Sequence, residues 1–475
     1  MENLQKFYIN GRWVAPISKA TLPVLNPALN EQIGTVSMGN SDDVNKAVAA
    51  AKAAFAGYSQ TGKADRLALL KRLKEETEKR FEDMAQAMRM EMGAPITMAR
   101  DAHADAAIGH LNSFIEALEA LQERMDLSNG DVMLREAIGV CGLITPWNWP
   151  INQIALKVIP ALATGCTCVL KPSEHTPVSA IVYAEIIHSA GYPAGVFNLV
   201  NGDGPTVGSC LSRHRDIQMM SFTGSTRAGT AVTHDAAETV KRVTLELGGK
   251  SPNIVFADCD LEAMVTASVQ ECMFNTGQSC DAPTRLLVER SCYDEALKIV
   301  KIAAEAVTVG NPEKEGGHLG PLFDEIQFDR VQNMISVGIN EGANLIVGGL
   351  GKPEGYEKGW FVKPTIFADV SNDQRIAQEE IFGPVLVVIP FENEADAVRI
   401  ANDTPYGLAA YLQTGNSARA ERVAKQLRAG AVHINGGAVN YGTPFGGYLQ
   451  SGNGREGGMM GLEDYLETKT LHGVF

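Results

Sequence analysis

The sequence predicts an α/β protein built on open, largely parallel sheets. From residue 138 onward, short apolar runs alternate with stretches of helical periodicity. Each run is followed by a helix long enough to cross back over a sheet, the repeat of a βαβ unit. The chain has 475 residues, of which 45% are hydrophobic and 20% charged, enough to build large cores in about three domains.

Taken in order, residues 7–10 and 24–25 read as short strands. Helices follow at 44–55, which is alanine-rich, and across 64–98, where Leu70, Leu73, Phe81, Met84 and Met88 share one face. The alternating region then gives strands at 138–144, 167–170, 196–200, 217–222 and 243–247, with helices at 178–189, 206–212 and 227–237 between them. A second alternating region runs from Ile254 to Gly447. It holds a turn at Ala282-Pro283-Thr284, strands at 286–288, 345–347, 384–390 and 432–435, and a helix at 293–306. Residues 465–471 form a last strand, and Gly316-Gly317 and residues 348–351 read as surface turns.

Charge and composition exclude several functions. Forty-one basic against fifty-six acidic side chains give a net charge of −15, a surface that repels polyphosphate and argues against a general nucleic-acid binder. Residues 137–156 carry no charge, but Pro146 and Pro150 interrupt them, so no membrane span is expected. The start Met1-Glu2-Asn3-Leu4-Gln5-Lys6 lacks the basic end and apolar core of a signal peptide. Eight cysteines scattered between 141 and 292 are not a disulfide scaffold, which points to a reducing cytosol. Nine scattered histidines without an H-x-x-x-H pair, and a lone Cys166-x-Cys168, give no support for a metal site.

Several local patterns bear on chemistry. Gly249-Lys250-Ser251 ends like a P-loop, but Thr244 stands where that motif needs glycine. Gly202-Asp203-Gly204-Pro205-Thr206-Val207-Gly208 has one residue too many for G-x-G-x-x-G, and no acidic residue follows between 217 and 233. Gly224-Ser225 is better placed, after an apolar run and at a helix start, where free N–H groups suit a pyrophosphate; an ordinary turn fits equally well. Cys280 follows the small polar stretch Asn275-Thr276-Gly277-Gln278-Ser279, a turn whose N–H groups can activate a thiol, although a lone cysteine is more often inert. Cys272 reads as a core residue. Glu246 ends a strand in a glycine-lined loop, and Asn148 stands between Trp147 and Trp149, where an amide can meet an oxyanion. A surface carboxylate and an aromatic turn remain open readings for these two.

As an ordered set, Pro146-Trp147-Asn148, Lys171-Pro172-Ser173-Glu174, Phe222-Thr223-Gly224-Ser225, Glu246-Leu247-Gly248-Gly249-Lys250, Gly277-Gln278-Ser279-Cys280, Glu380-Ile381-Phe382-Gly383-Pro384 and Pro444-Phe445-Gly446-Gly447 resemble the aldehyde dehydrogenase superfamily. The match extends from Tyr8-Ile9-Asn10-Gly11 to the terminal strand. The resemblance implies that Cys280 is the nucleophile, Glu246 the general base, Asn148 an oxyanion donor and Lys157 a supporting catalytic lysine. It implies NAD as cofactor. Lys171, Ser173 and Glu174 would lie at the adenosine ribose, with the Glu174 carboxylate disfavouring the 2′-phosphate of NADP. Gly204, Gly208, Phe222, Gly224, Ser225 and Leu247 join the cofactor contacts, and Trp147, Glu380 and Phe382 lie near the nicotinamide end.

Trp149, Leu156, Asp281 and Phe445 are expected to shape the substrate pocket. Leu156 replaces a bulky aromatic found in some relatives, Asp281 a small or apolar residue, and Leu449 a common lysine, so the aldehyde itself stays open. The implied fold is a parallel-sheet, Rossmann-like coenzyme domain (1–116 and 138–248), an α/β catalytic domain (249–449) and a small β oligomerisation element (117–137 and 450–475). Homodimers or homotetramers follow from that element. The implied activity is NAD-dependent, hydrolytic oxidation of an aldehyde to the acid. A CoA-acylating relative, or a catalytically silent structural descendant, are the alternatives; Cys280 and Glu246 both argue against them.

Overall fold

A computed structural model describes residues 3–473. Met1 and Glu2, and the last two positions of the expected oligomerisation element, lie outside the described residues. Two large sheets and two small ones account for the strands.

The first large sheet has eight strands in the order Gly452–Asn453, Arg242–Glu246, Met219–Thr223, Val140–Ile144, Thr167–Lys171, Phe197–Leu199, Phe7–Ile9 and Arg12–Val14. Its five central strands are parallel, and the two ends are finished by antiparallel pairings. The strands are apolar runs, not alternating ones, because helices cover both faces. Val140–Ile144 and Thr167–Lys171 are buried at every position. The helix Pro150–Ala163, opened by Pro150 at its first position, is buried nearly all round.

The second large sheet has seven strands in the order Asn344–Val347, Thr365–Ala368, Val385–Phe391, Arg285–Glu289, Pro252–Val255, Ala409–Gln413 and Ala431–Ile434. All pair in parallel except the first. Side-chain caps mark several helix starts: Asp260 accepts from Ala263 N, Asp324 from Gln327 N and Asn393 from Asp396 N. A three-stranded antiparallel sheet joins Leu466–Leu471, Val132–Ala137 and Arg124–Asp126, and Thr21–Asn26 pairs with Glu31–Ser37.

The structure departs from the sequence expectations mainly at breaks. The helical stretch 64–98 is divided into Lys63–Lys79, Phe81–Glu91 and Ile96–Met98. It breaks at Arg80, whose backbone leaves the helical region, and at Gly93 (φ +80), whose backbone lies against Pro321 and Pro27. The helix expected at 206–212 starts earlier, as a wide turn over Gly204–Gly208. The helix Asp105–Ala120 runs past position 117. Gly452–Asn453 pairs with the first large sheet, and the helix Gly458–Glu463 packs on the helices Asp105–Ala120 and Pro150–Ala163.

Arg285 ties the second sheet together from inside. It is fully buried, and its guanidinium donates to the carbonyls of Lys250 (2.9 Å), Ile400 (3.0 Å) and Ala401 (2.8 Å) and to Asn372 Oδ1 (2.8 Å). Arg285→Met keeps the bulk but leaves those acceptors unpaired in the interior. It should destabilise the protein by about 3 kcal/mol or more, read as a fall in the urea midpoint; an unchanged midpoint would remove this role.

Candidate active site

In an open α/β sheet, ligands bind beyond the carboxyl ends of the strands where the order reverses. Here the chain runs from Val140–Ile144 outward to Thr167–Lys171 and Phe197–Leu199, then returns to Met219–Thr223 on the other side. The loops leaving that point carry Trp147 and Asn148 on one side and Gly224 and Ser225 on the other. The amino-terminal edge of the second sheet closes the cleft. Glu246 and Leu247 lead into Pro252–Val255, Cys280 precedes Arg285–Glu289, and Glu380 and Phe382 precede Val385–Phe391; all line one cavity with the first set.

Cys280 is presented by an unusual turn. Asn275 (φ 53°), Thr276 (φ 57°) and Gly277 (φ 70°) are consecutive left-handed residues, two of them with side chains that resist this geometry. Hydrogen bonds hold them there. Asn275 Nδ2 donates to Asn148 O (3.0 Å) and Gln278 O (3.3 Å), Thr276 Oγ1 to Gly320 O (3.2 Å), and Phe323 N to Gln278 Oε1 (3.0 Å). Asn148 Nδ2 donates to Gln278 O (3.0 Å), and Trp149 Nε1 to Ser279 Oγ (2.9 Å). The Asn148 amide is thereby fixed against the turn that presents Cys280. Burial, and then the carboxyl groups of Asp281, Glu380 and Glu246, push the Cys280 thiol well above its usual range.

Glu246 ends its strand with a carboxyl that is 3% exposed, and neither oxygen has a hydrogen-bond partner among the described residues. Burial and the neighbouring Glu456 raise it well above the ordinary carboxyl range, against the pull of Lys157 and Arg455. Space for it is made by Gly446, where a β-carbon would stand 2.6 Å from Glu246 Oε1. Lys157, wholly buried, donates to Glu456 Oε1 and to Ser221 Oγ (3.2 Å). Glu456 escaped the sequence reading, since its partner lies 299 positions away.

On another wall of the cavity, Trp147 stacks on Phe323 (3.9 Å, 21°) and meets Phe382 edge-on (5.5 Å, 88°). Glu380 accepts from Gly249 N (3.1 Å). Its loop is held by Gln327, which donates to Ile381 O (3.0 Å) and Phe382 O (2.7 Å), and by Arg330, which donates to Glu380 O (2.6 Å). Gln327 and Arg330 were not anticipated; they share one face of the helix Glu325–Asn340 but belong to none of the motifs. Ser225 caps the helix Thr226–Ala236 by accepting from Ala228 N (3.3 Å). Phe222 is the last residue but one of the strand before it.

Other expected residues lie apart from this cavity. Lys171 Nζ pairs with Glu174 Oε2 (2.8 Å) at the end of the neighbouring strand, with Ser173 between them. Burial pushes the Glu174 carboxyl up, but Lys171 outweighs it and the carboxyl ends below its usual value. Gly204 and Gly208 bound the wide turn beyond the next strand. Leu156 is 6% exposed and packs in the first core. Asp281 is half-buried beside Cys280, and Phe445 forms a backbone bridge with Glu456 (2.7 Å). Among the described residues no group of His, Cys, Asp or Glu could hold a metal ion, and no helix is long and apolar enough to cross a membrane.

A family model, that of the aldehyde dehydrogenase family, matches residues 13–471. The chain belongs to the aldehyde dehydrogenase family. It is 50% identical over 474 residues to a 3-succinoylsemialdehyde-pyridine dehydrogenase of a Pseudomonas species, covering 100% of this chain and 99% of that one. An aldehyde dehydrogenase from Bartonella henselae superposes with a TM-score of 0.97 at 48% identity, over 98% of each chain. A mutant aldehyde dehydrogenase C from Pseudomonas syringae, crystallised with NAD+ and octanal, gives 0.98 at 49% identity, over 99% of this chain and 97% of that one. The resemblance read from the seven motifs is thus borne out, as is the α/β class with parallel sheets.

Since the Cys280 thiol is raised, its alkylation by iodoacetamide should be slow at pH 7 and rise about tenfold per pH unit beyond the range where a free thiol levels off, near 8.5. Peptide mass after timed labelling reads this directly. A plateau by pH 8 would contradict the raised thiol.

Proposed function

We propose that the protein oxidises an aldehyde to its carboxylic acid with NAD, through covalent intermediates on Cys280. The observation that carries this reading is the pairing, across one cleft, of a half-buried thiol with a buried carboxyl that has no hydrogen-bond partner among the described residues. The cleft suits a dinucleotide. It opens at the strand-order reversal and offers an aromatic wall at Trp147 and a carboxyl at Glu380, and Glu174, at the end of the neighbouring strand, supplies a second carboxylate that can take ribose hydroxyls. When bound, NAD supplies the nicotinamide ring that takes up a hydride.

The Cys280 thiol gives up its proton to water, and the thiolate adds to the aldehyde carbonyl to form a thiohemiacetal oxyanion. One N–H of the Asn148 amide is held by Gln278 O; the other, with the backbone N–H of Cys280, is free to receive that oxygen. Loss of the carbon-bound hydrogen as hydride leaves a thioester. Glu246 takes a proton from water, the hydroxide displaces the thiolate, and the acid departs. A raised carboxyl is the stronger base once it is ionised, and Lys157 and Arg455 limit the rise. Glu246 in this position supports hydrolysis over transfer to CoA.

We infer that the three-stranded sheet serves oligomerisation, because Leu466–Leu471 displays a polar, exposed strand at its edge; the product would be a homodimer or homotetramer. The eight unpaired cysteines suit a reducing cytosol.

Two measurements test the chemistry. Glu246→Gln should deliver one equivalent of NADH in a pre-steady-state burst and then stall, with steady turnover down about 10²–10⁴-fold and an acyl adduct on Cys280 by intact mass. Wild-type turnover without an adduct removes Glu246 from the mechanism. For the cofactor, kcat/KM should favour NAD over NADP, and Glu174→Gln should narrow the gap because the charge facing the 2′-phosphate is gone. Equal values in the unaltered enzyme would contradict the role of Glu174.

A further inference from the structure

Trp147 faces the cofactor cleft, whereas Trp149 packs on the other flank of Asn148. There it meets Ser279 through its indole N–H (2.9 Å), His103 face to face (4.1 Å, 23°) and Phe274 at 5.9 Å. Asn152 lies three residues beyond Trp149, on the same side of the first turn of Pro150–Ala163, and is half-buried.

A chain of contacts fixes the Asn152 amide. His110 is 7% exposed, and burial pushes its imidazole down to about 4, so the ring is neutral in working conditions. Its Nε2 lies 2.8 Å from Asn152 Oδ1, which can only accept; the ring hydrogen is therefore on Nε2. Tyr441 meets His110 edge-on (4.9 Å, 76°), lies over Gly109, where no side chain would fit, and donates to Asp105 Oδ2 (3.3 Å). With its oxygen taken by His110, the amide turns its two N–H donors the other way. They bond to none of the described residues.

Phe274 and Tyr441, each 43% exposed, give this flank an apolar rim. The carboxyl groups on this flank are Asp281, beside the nucleophile, and Asp105, which accepts from Tyr441, and no Lys or Arg is among the residues named on this wall. Resting on the reading of Cys280 as nucleophile, we infer that the acyl side is built for an uncharged aldehyde with an apolar or aromatic body and a hydrogen-bond acceptor along it. Asn152 Nδ2 reads the acceptor, and His110 is the positioning residue that keeps the amide turned toward it.

The test uses three aldehydes of equal chain length, one plain alkyl, one with a mid-chain ketone and one ending in a carboxylate, with kcat/KM measured by NADH formation in the full-length enzyme. The ketone should exceed the alkyl aldehyde by about tenfold, the ratio equivalent to 1.4 kcal/mol, and the carboxylate should be poorest. Asn152→Leu should bring the ketone-to-alkyl ratio to about one. His110→Phe, which keeps a ring against Tyr441 but frees the amide, should lower it partly, with NAD binding followed by fluorescence as the check on folding. Should Asn152→Leu lose NAD binding, His110→Phe carries the comparison alone. A ratio near one in the unaltered enzyme, a ratio indifferent to the variants, or preference for the carboxylate overturns the inference while leaving aldehyde oxidation standing. No NADH from any aldehyde overturns both.

Discussion

Backbone pressed on backbone holds this site together. A β-carbon on Gly249 would stand 2.5 Å from the carbonyl oxygen of Cys280, so the loop that leaves Glu246 and the turn that presents the thiol meet without an intervening side chain. The same contact joins the two large sheets, since that loop is the crossing from Arg242–Glu246 to Pro252–Val255. Ser451 secures it from the far side, with its carbonyl accepting from Leu247 N (3.0 Å) and its hydroxyl donating to Gly248 O (2.7 Å). Move the loop outward by the width of a methyl group and Glu246, Glu380 and Cys280 no longer share a cleft.

That closeness sets the electrostatics. Glu246, Glu380, Asp281 and the Cys280 thiol are gathered where water is scarce, and burial pushes each toward its neutral form; neighbouring carboxyl groups add to this at Glu246 and Cys280, whereas Arg330 and Lys250 oppose it at Glu380. Beside Glu246, Lys157 and Arg455 limit the effect, and Glu456 adds to it. The strain in the left-handed Asn275 and Thr276 belongs to the same economy of space, because only that turn brings Cys280 and Asn148 onto one wall.

Much of this was readable in advance. The strands at 140–144, 167–171, 219–223 and 242–246 were expected within two residues of where they lie, since a parallel strand covered on both faces must be a short apolar run. The glycine pairs that mark the motifs were visible too. Breaks were harder to see: the interruption at Gly93 depends on Pro321, more than two hundred residues away. So were Gln327 and Arg330, whose helix face looks like any solvated one until the Glu380 loop lies against it.

By itself the sequence determined the element types, the order of the motifs and the chemical identities at the site, because these depend on periodicity, backbone permissiveness and side-chain type, all local properties. Tertiary structure alone decided which groups become neutral, which amide N–H groups remain free and which carboxyl has no partner. Those are properties of distance and burial between segments such as Lys157 and Glu456, or His110 and Asn152, and no local pattern records them. Desolvation is collective: a carboxyl at Glu246 becomes unusual only when several distant loops have together excluded the water around it.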